Sequence, residues 1–503
     1  MKILSGRMRF SSGARISSLL TAALAVFATS ISGVAAKSST RIAPHYVIPA
    51  ARLNGLADFV DGVVAQQIAT REVAGAVITV VYKGQVLFTR GYGYADIDKR
   101  IAVDPQRTLF RPGSVSKLVT WAALMQQVEA GKVDLEADVN RYLDFKIPDT
   151  RTQPVKVRDL MSHIAGFGDQ SNIMADKPEN LIPYRDWLKS NLPMRMWEPE
   201  TEVAYSNYGA ALAGYIVERV SGEPFADYVD KHIFQPLGMT DTTFREPLTG
   251  KLAGRIATGY RLADGQLVAK PFELLGKVEP AGSSSSTAPD MARFIEAMLN
   301  DGQLGTARIL APASVHFLEA DGFKNAPRLP GLAHGFMVLR ESEPRLVEHG
   351  GNTADQHSYL LLAPEADFGF FMSFTGGPGS YKARTDLDEA IIGRVFPQQR
   401  SARWTGTETP PPMGAYRSDR RDYSKPVNPQ HDLRVTEAGP HALVIQEEGE
   451  KSYWEQIGPH LYERVTGARD GGPYEQAEFY GTAQEPKLSF SSEPHMLFRF
   501  VPQ

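Results

Sequence analysis

The sequence predicts an α/β fold: an antiparallel sheet flanked by terminal helices, an all-α lobe inserted into it, and a small C-terminal β domain. Three observations carry this. A helix and strand pattern at the start of the chain is answered by strands and a helix that end near residue 396. From Ser114 to about Met298 the pattern is mostly helical with polar loops. Residues 404–412, ending in three consecutive prolines, then break all periodicity, and only short-strand and turn material follows.

Each element has its own reason. Residues 53–71 carry apolar side chains at helical spacing: Leu56, Phe59, Val60, Val63, Val64 and Ile68. Residues 76–82 and 85–90 are β-rich runs around Lys83-Gly84, the first hairpin of the sheet. A helix over 117–130 is closed by Gly131, and another over 208–220 ends before Gly222. Strand patterns return at 335–340, 345–349, 357–363 and 368–374, and a helix follows over 385–395. In the tail, 442–446, 487–490 and 496–501 read as strands. The expected division is 1–36 as a signal segment, 37–400 as the main domain, 401–412 as a linker and 413–503 as a barrel-like β domain. A cleft is expected where the helical lobe meets the sheet.

Composition narrows the function. The chain has 503 residues, 42% hydrophobic and 22% charged, as soluble globular proteins do. Net charge is −4. The first 36 residues hold four basic and no acidic residues, so the remainder is −8. An acidic body gives no reason to expect nucleic-acid binding. The basic start, the apolar run over 16–34 and the small residues Val34-Ala35-Ala36 read as a cleavable secretory signal, with a retained membrane anchor as the alternative. No later segment reaches the ~18 uninterrupted apolar residues of a membrane span. An exported chain without cysteine suits a bacterial periplasm, and structural zinc on thiolates is excluded. There is no His-Glu-x-x-His or phosphate-loop pattern, so no metal or nucleotide cofactor is expected. Oligomeric state is not readable.

Three short motifs carry chemistry, and each occurs once. Ser114-Val115-Ser116-Lys117 stands where an extended segment turns into a helix, so hydroxyl and amine share one face, one turn apart. The helix N-terminus favours negative charge developing at Ser114. Tyr205-Ser206-Asn207 precedes the next long helix. A phenol beside a cationic lysine would have its pKa lowered, which makes Tyr205 a general base for Ser114 and acid for the leaving group. Asn207 can bond both the lysine and a substrate carbonyl. His349-Gly350-Gly351 lies on or after a strand; glycine permits close approach, and the N–H groups of Asn352 and Ser114 can form an oxyanion hole.

In this order the motifs resemble the serine beta-lactamase-like family, in its class C branch. That branch holds class C beta-lactamases, D-alanyl-D-alanine carboxypeptidases, D-aminopeptidases and esterases. The resemblance runs from about Leu53 to Phe396, through 110–139 (FRPGSVSKLVTWAALMQQVEAGKVDLEADV), 157–167 (VRDLMSHIAGF), the segment ending PLGMTDTTF and 280–294 (PAGSSSSTAPDMARF). Met413-Gly414-Ala415-Tyr416-Arg417 is similar to the start of a small β-barrel domain found in some members. The resemblance implies a beta-lactamase/transpeptidase-like fold, Ser114 as the acylated nucleophile, Lys117 and Tyr205 in proton transfer, and Asn207, His349, Gly351 and Asn352 at the substrate. His349 stands where beta-lactamases carry lysine. Histidine, with a reference pKa of about 6.5, is mostly neutral at pH 7, which weakens a carboxylate clamp. After Gly351, Thr353-Ala354-Asp355-Gln356 replaces the usual Pro-Gly-aromatic continuation, and Asp355 is expected at the cleft edge, where it would attract a substrate amine.

The expected function is therefore an exported serine hydrolase acting on a small molecule or peptide, an esterase or D-amino-acid amidase or peptidase. A beta-lactamase or D-alanyl-D-alanine carboxypeptidase is the nearest alternative, and a non-hydrolytic binder or sensor of cell-wall fragments is the alternative from another class. His163 is expected to be structural, Gly282 with its four following serines to be a flexible turn, and Trp121, Trp197 and Trp404 to be core or linker contacts.

Overall fold

The computed structural model describes residues 45–502; the expected signal segment lies outside them. One antiparallel sheet of nine strands organises the main domain, in the order Ile101–Ala102, Gln85–Asp96, Gly75–Tyr82, Phe368–Thr375, Gln356–Ala363, Leu346–Asn352, Met337–Arg340, Leu332–Ala333 and Asp321–Phe323. The two ends of the domain meet at its centre, where Gly75 pairs with Thr375 and Tyr82 with Phe368.

Alternation along these strands feeds two cores. Ala76, Ile78, Val80, Phe368, Phe370 and Met372 face helices Leu56–Ala69 and Pro378–Val395. Val77, Val81, Leu360, Leu362 and Phe371 face the helical lobe, with Trp121 and Phe294. Because both faces are covered, the central strands are apolar almost throughout. Trp121 is a core residue, as expected, at 1% exposure.

Several expectations need correction. The strand expected over 85–90 runs on to Asp96. The last helix starts at Pro378, seven residues early, because proline at its first turn fixes φ and loses no intrahelical bond. The lobe is not purely helical: Gly259–Ala263 and Gln266–Lys270 form a hairpin. The segment after Gly282 is no flexible turn. Ser283 to Ser286 are buried; Ser284 Oγ lies 2.6 Å from Ser116 Oγ, and Ser283 Oγ donates to Phe244 O at 2.6 Å. This buried latch ties the lobe to the turn that carries Ser114.

After an irregular stretch, eight strands from Gly414–Ser418 to Phe498–Val501 close into a barrel, Tyr416 pairing with Phe500. Its interior is filled by Tyr416, Trp454, Tyr462, Phe479, Phe490 and Phe498. The barrel is docked by charge. Glu202, 8% exposed, receives Lys487 Nζ at 2.7 Å and also Arg499. Arg328 Nε donates to Glu478 Oε1 at 2.8 Å, and Ser171 Oγ to Asp422 Oδ2 at 2.7 Å. Tyr423 packs edge-on against Trp197, centroids 5.6 Å apart.

Candidate active site

The turn Gly113–Ser116 is 3-10 and runs directly into helix Lys117–Glu129. Gly113 has φ +56, a left-handed conformation that disfavours a side chain, and a Cβ there would lie 3.0 Å from Asn352 N. Ser114 is half-buried at the positive end of the helix. One turn on, Lys117 is fully buried. Its Nζ lies 2.9 Å from Ser114 Oγ, 2.8 Å from Asn207 Oδ1 and 2.7 Å from Ala281 O. Burial above all, then the charge of Arg420, holds its pKa well below the usual lysine value. A neutral lysine has two N–H donors and one lone pair. Asn207 and Ala281 take the donors, which leaves the lone pair for the Ser114 hydroxyl.

Ser206 is extended, so Tyr205 and Asn207 project to the same side. Ser206 Oγ caps the helix Asn207–Ser221 by accepting from Gly209 N at 3.1 Å. Tyr205 is 3% exposed. Its phenol was expected to be acidified, and the structure reverses that. Burial pushes it up to about 12, against Arg420 and a hydrogen bond with Ser114, which pull it down. The phenol is protonated at neutral pH, a state that can donate a proton, while the lowered pKa of Lys117 favours an amine that can accept one.

Strand Leu346–Asn352 forms the opposite wall. A Cβ on Gly351 would lie 1.9 Å from Pro112 O, so only glycine lets this strand reach the nucleophile turn. Gly351 pairs with Ser358, and Thr353 N donates to Gln356 O at 2.9 Å. In an antiparallel ladder the residue between two bonded positions turns its N–H outward. Asn352 is that residue, so its N–H turns away from the strand 356–363, and its nitrogen lies beside Gly113, next to the nucleophile. His349 is 1% exposed, and burial, then the Lys117 charge, lowers its pKa to about 3. Its Nδ1 lies 2.6 Å from Gly350 O and acts as the donor, and the lowered pKa leaves the ring neutral at pH 7.

Asp355 is not at the cleft edge. It is 3% exposed and ion-paired to Arg261 on the hairpin missed in the sequence. His163, expected to be structural, props the phenol: its ring lies 4.2 Å from that of Tyr205, and its Nδ1 accepts from Ser206 N at 3.2 Å.

Sequence reasoning missed two residues that the barrel brings to the site. Arg420 stacks its guanidinium 4.4 Å from the Tyr205 ring centroid and bonds Asp169 Oδ2 at 3.3 Å. His495 packs edge-on against the same ring at 5.3 Å. No local pattern marks either residue; they matter only because the barrel docks there. A cavity of about 910 Å³, lined by Ser114, Tyr205, Arg420 and His495, runs between sheet and barrel.

The family model for beta-lactamase matches residues 60–392. The chain belongs to the beta-lactamase family. An uncharacterised protein of Mycobacterium tuberculosis is 30% identical over 54% of this chain and 76% of its own length. Among solved structures, the octameric penicillin-binding protein homologue from Pyrococcus abyssi aligns over 88% of this chain and 100% of its own, with TM-score 0.59 and 21% identity, a likeness of fold. The D-amino acid amidase from Ochrobactrum anthropi aligns over 68% of this chain and 97% of its own, with TM-score 0.55 and 25% identity. Among the described residues no helix is long and apolar enough to cross a membrane, and no group of side chains is arranged to hold a metal ion.

Proposed function

We propose that this protein is a serine hydrolase that cleaves an ester or amide through a Ser114 acyl-enzyme. The observation that carries the reading is the Lys117 amine, fully buried and 2.9 Å from Ser114 Oγ. Neutral Lys117 takes the Ser114 proton as Oγ attacks the carbonyl. The N–H groups of Ser114 and Asn352 stabilise the oxyanion. Tyr205 delivers a proton to the leaving group, and the proton that Lys117 took from Ser114 then passes to the Tyr205 phenolate. Water then repeats the sequence in reverse to free the enzyme.

Within this class, esters and D-amino-acid amides lead over beta-lactams and carboxypeptidase substrates. A neutral, buried His349 supplies no fixed cation for a substrate carboxylate, and similarity to a D-amino acid amidase points the same way. We place the enzyme outside the cytoplasm, in the periplasm or medium, on the leader-like composition of residues 1–36. Initial rates on 4-nitrophenyl esters and D-amino-acid amides, with Ser114→Ala alongside, test the reading. Loss of at least about 10³-fold is expected for the variant; a variant as fast as the parent on every substrate would refute it.

A further inference from the structure

The cavity extends well past Ser114, and its far part differs in character from the catalytic wall. Its floor is apolar, made by Ile445, Trp454 and Phe490 at one end of the barrel. Its sides are carboxylates from both domains: Glu348 and Glu389 from the main domain, Glu447 and Glu493 from the barrel. None of these four forms an ion pair among the described residues, although Arg384 acts at longer range on Glu348, Arg464 on Glu389 and Glu447, and Arg420 on Glu493. Most cations on the same walls are already committed. Arg384 pairs with Asp388 at 2.8 Å between the rings of Tyr359 and Tyr381, Arg464 pairs with Glu475 at 2.9 Å, and Arg420 pairs with Asp169. Arg340 donates to Phe396 O, and Lys451 stands on the exposed rim. Glu348 is only 6% exposed, and its Oε2 is buried with no hydrogen-bond partner. A buried carboxyl oxygen with no partner is costly while charged, and either protonation or an approaching cation relieves it.

We propose that this chamber is a subsite for an organic ammonium on an apolar stem, the part of the acyl substrate distal to the reacting carbonyl. The stem would cover the aromatic floor, and the ammonium would meet carboxylates converging from both domains. Burial raises the Glu348 carboxyl to about 8 and the Glu389 and Glu493 carboxyls to about 7; an ammonium between them would restore their charge. The assignment rests on the serine-hydrolase reading, and its test separates the two.

The probes are the 4-nitrophenyl esters of 6-aminohexanoic and hexanoic acid at pH 7.5. The ammonium ester should be favoured by about tenfold in kcat/KM, chiefly through KM. Glu493→Gln and Glu389→Gln should each cut that ratio at least threefold. Equal kcat/KM in the parent, or a preference that survives in both variants, overturns the proposal. If neither ester is turned over and Ser114 gains no acyl mass, the hydrolase reading fails. The chamber is then judged by calorimetric titration of the parent with hexylammonium. Saturable binding lost in Glu493→Gln upholds the subsite, and absence of binding overturns it.

Discussion

Arg420 is a barrel residue, yet the account makes it part of the proton-transfer machinery, and Arg420→Gln isolates that claim. Lys117 Nζ stands 5.0 Å and Arg420 Cζ 4.4 Å from the Tyr205 ring centroid, so the two charges are at most about 9 Å apart. At an effective dielectric constant of about 20, a like charge at that distance is worth roughly 1.8 kcal/mol, or about 1.3 pH units. Lys117 must be neutral to accept the serine proton, so the acidic limb of kcat/KM reports its loss of a proton. Removing the arginine takes away a repulsion, the lysine holds its proton to higher pH, and the limb should move up by about one pH unit. Asp169 is left uncompensated in this variant and pushes in the same direction. Any alkaline limb from Tyr205 should also rise, because the arginine favours the phenolate. Asp169→Asn should move the acidic limb the opposite way. The assay is kcat/KM against pH for one chromogenic ester from pH 5 to 10. An unmoved acidic limb, or one that falls in Arg420→Gln, would refute the electrostatic role.

Three further outcomes follow from the same geometry. Gly351→Ala places a methyl group into Pro112 O, so the wall must shift from the nucleophile; activity should fall at least about 10²-fold, while thermal unfolding shows whether stability loss is confined to the ~1–3 kcal/mol of overpacking. His349→Lys should tighten binding of carboxylate-bearing substrates such as benzylpenicillin about tenfold relative to neutral esters, and unchanged relative KM values would sink the weakened-clamp argument. Glu319 is buried with Oε1 unpartnered, and burial raises its carboxyl to about 8. Its unfolded pKa is about 4.3, so the folded state is penalised increasingly as pH rises from about 4 to 8, and Glu319→Gln should raise the melting temperature at pH 8 by a few degrees with little effect at pH 5; the same gain at both pH values would contradict this.

What was legible in the sequence is what short spacing encodes. Ser114 and Lys117 are one helical turn apart, and Tyr205 and Asn207 flank one extended residue, so neighbours along the chain fixed their relative placement. The sheet was visible because its strands are buried on both faces and read as apolar runs. What depends on distant partners was not. Asp355 looked like a cleft-edge acid because Arg261 sits on a hairpin hidden among helical patterns. The direction of the Tyr205 pKa was misjudged because spacing shows a neighbouring charge and does not show burial, which dominates. Arg420 and His495 reach Tyr205 only through docking of a barrel that begins more than 200 residues further on, held by pairs such as Lys487 with Glu202.

The central claim is a covalent acyl group on Ser114. Rapid acid quench of the enzyme during turnover of a 4-nitrophenyl ester, followed by intact mass and peptide mapping, tests it most directly. The account predicts a transient mass gain equal to the acyl group, confined to the peptide containing Ser114 and absent in Ser114→Ala. Turnover with no adduct at any quench time in a variant slowed in deacylation, or an adduct that persists elsewhere in Ser114→Ala with undiminished turnover, would contradict it.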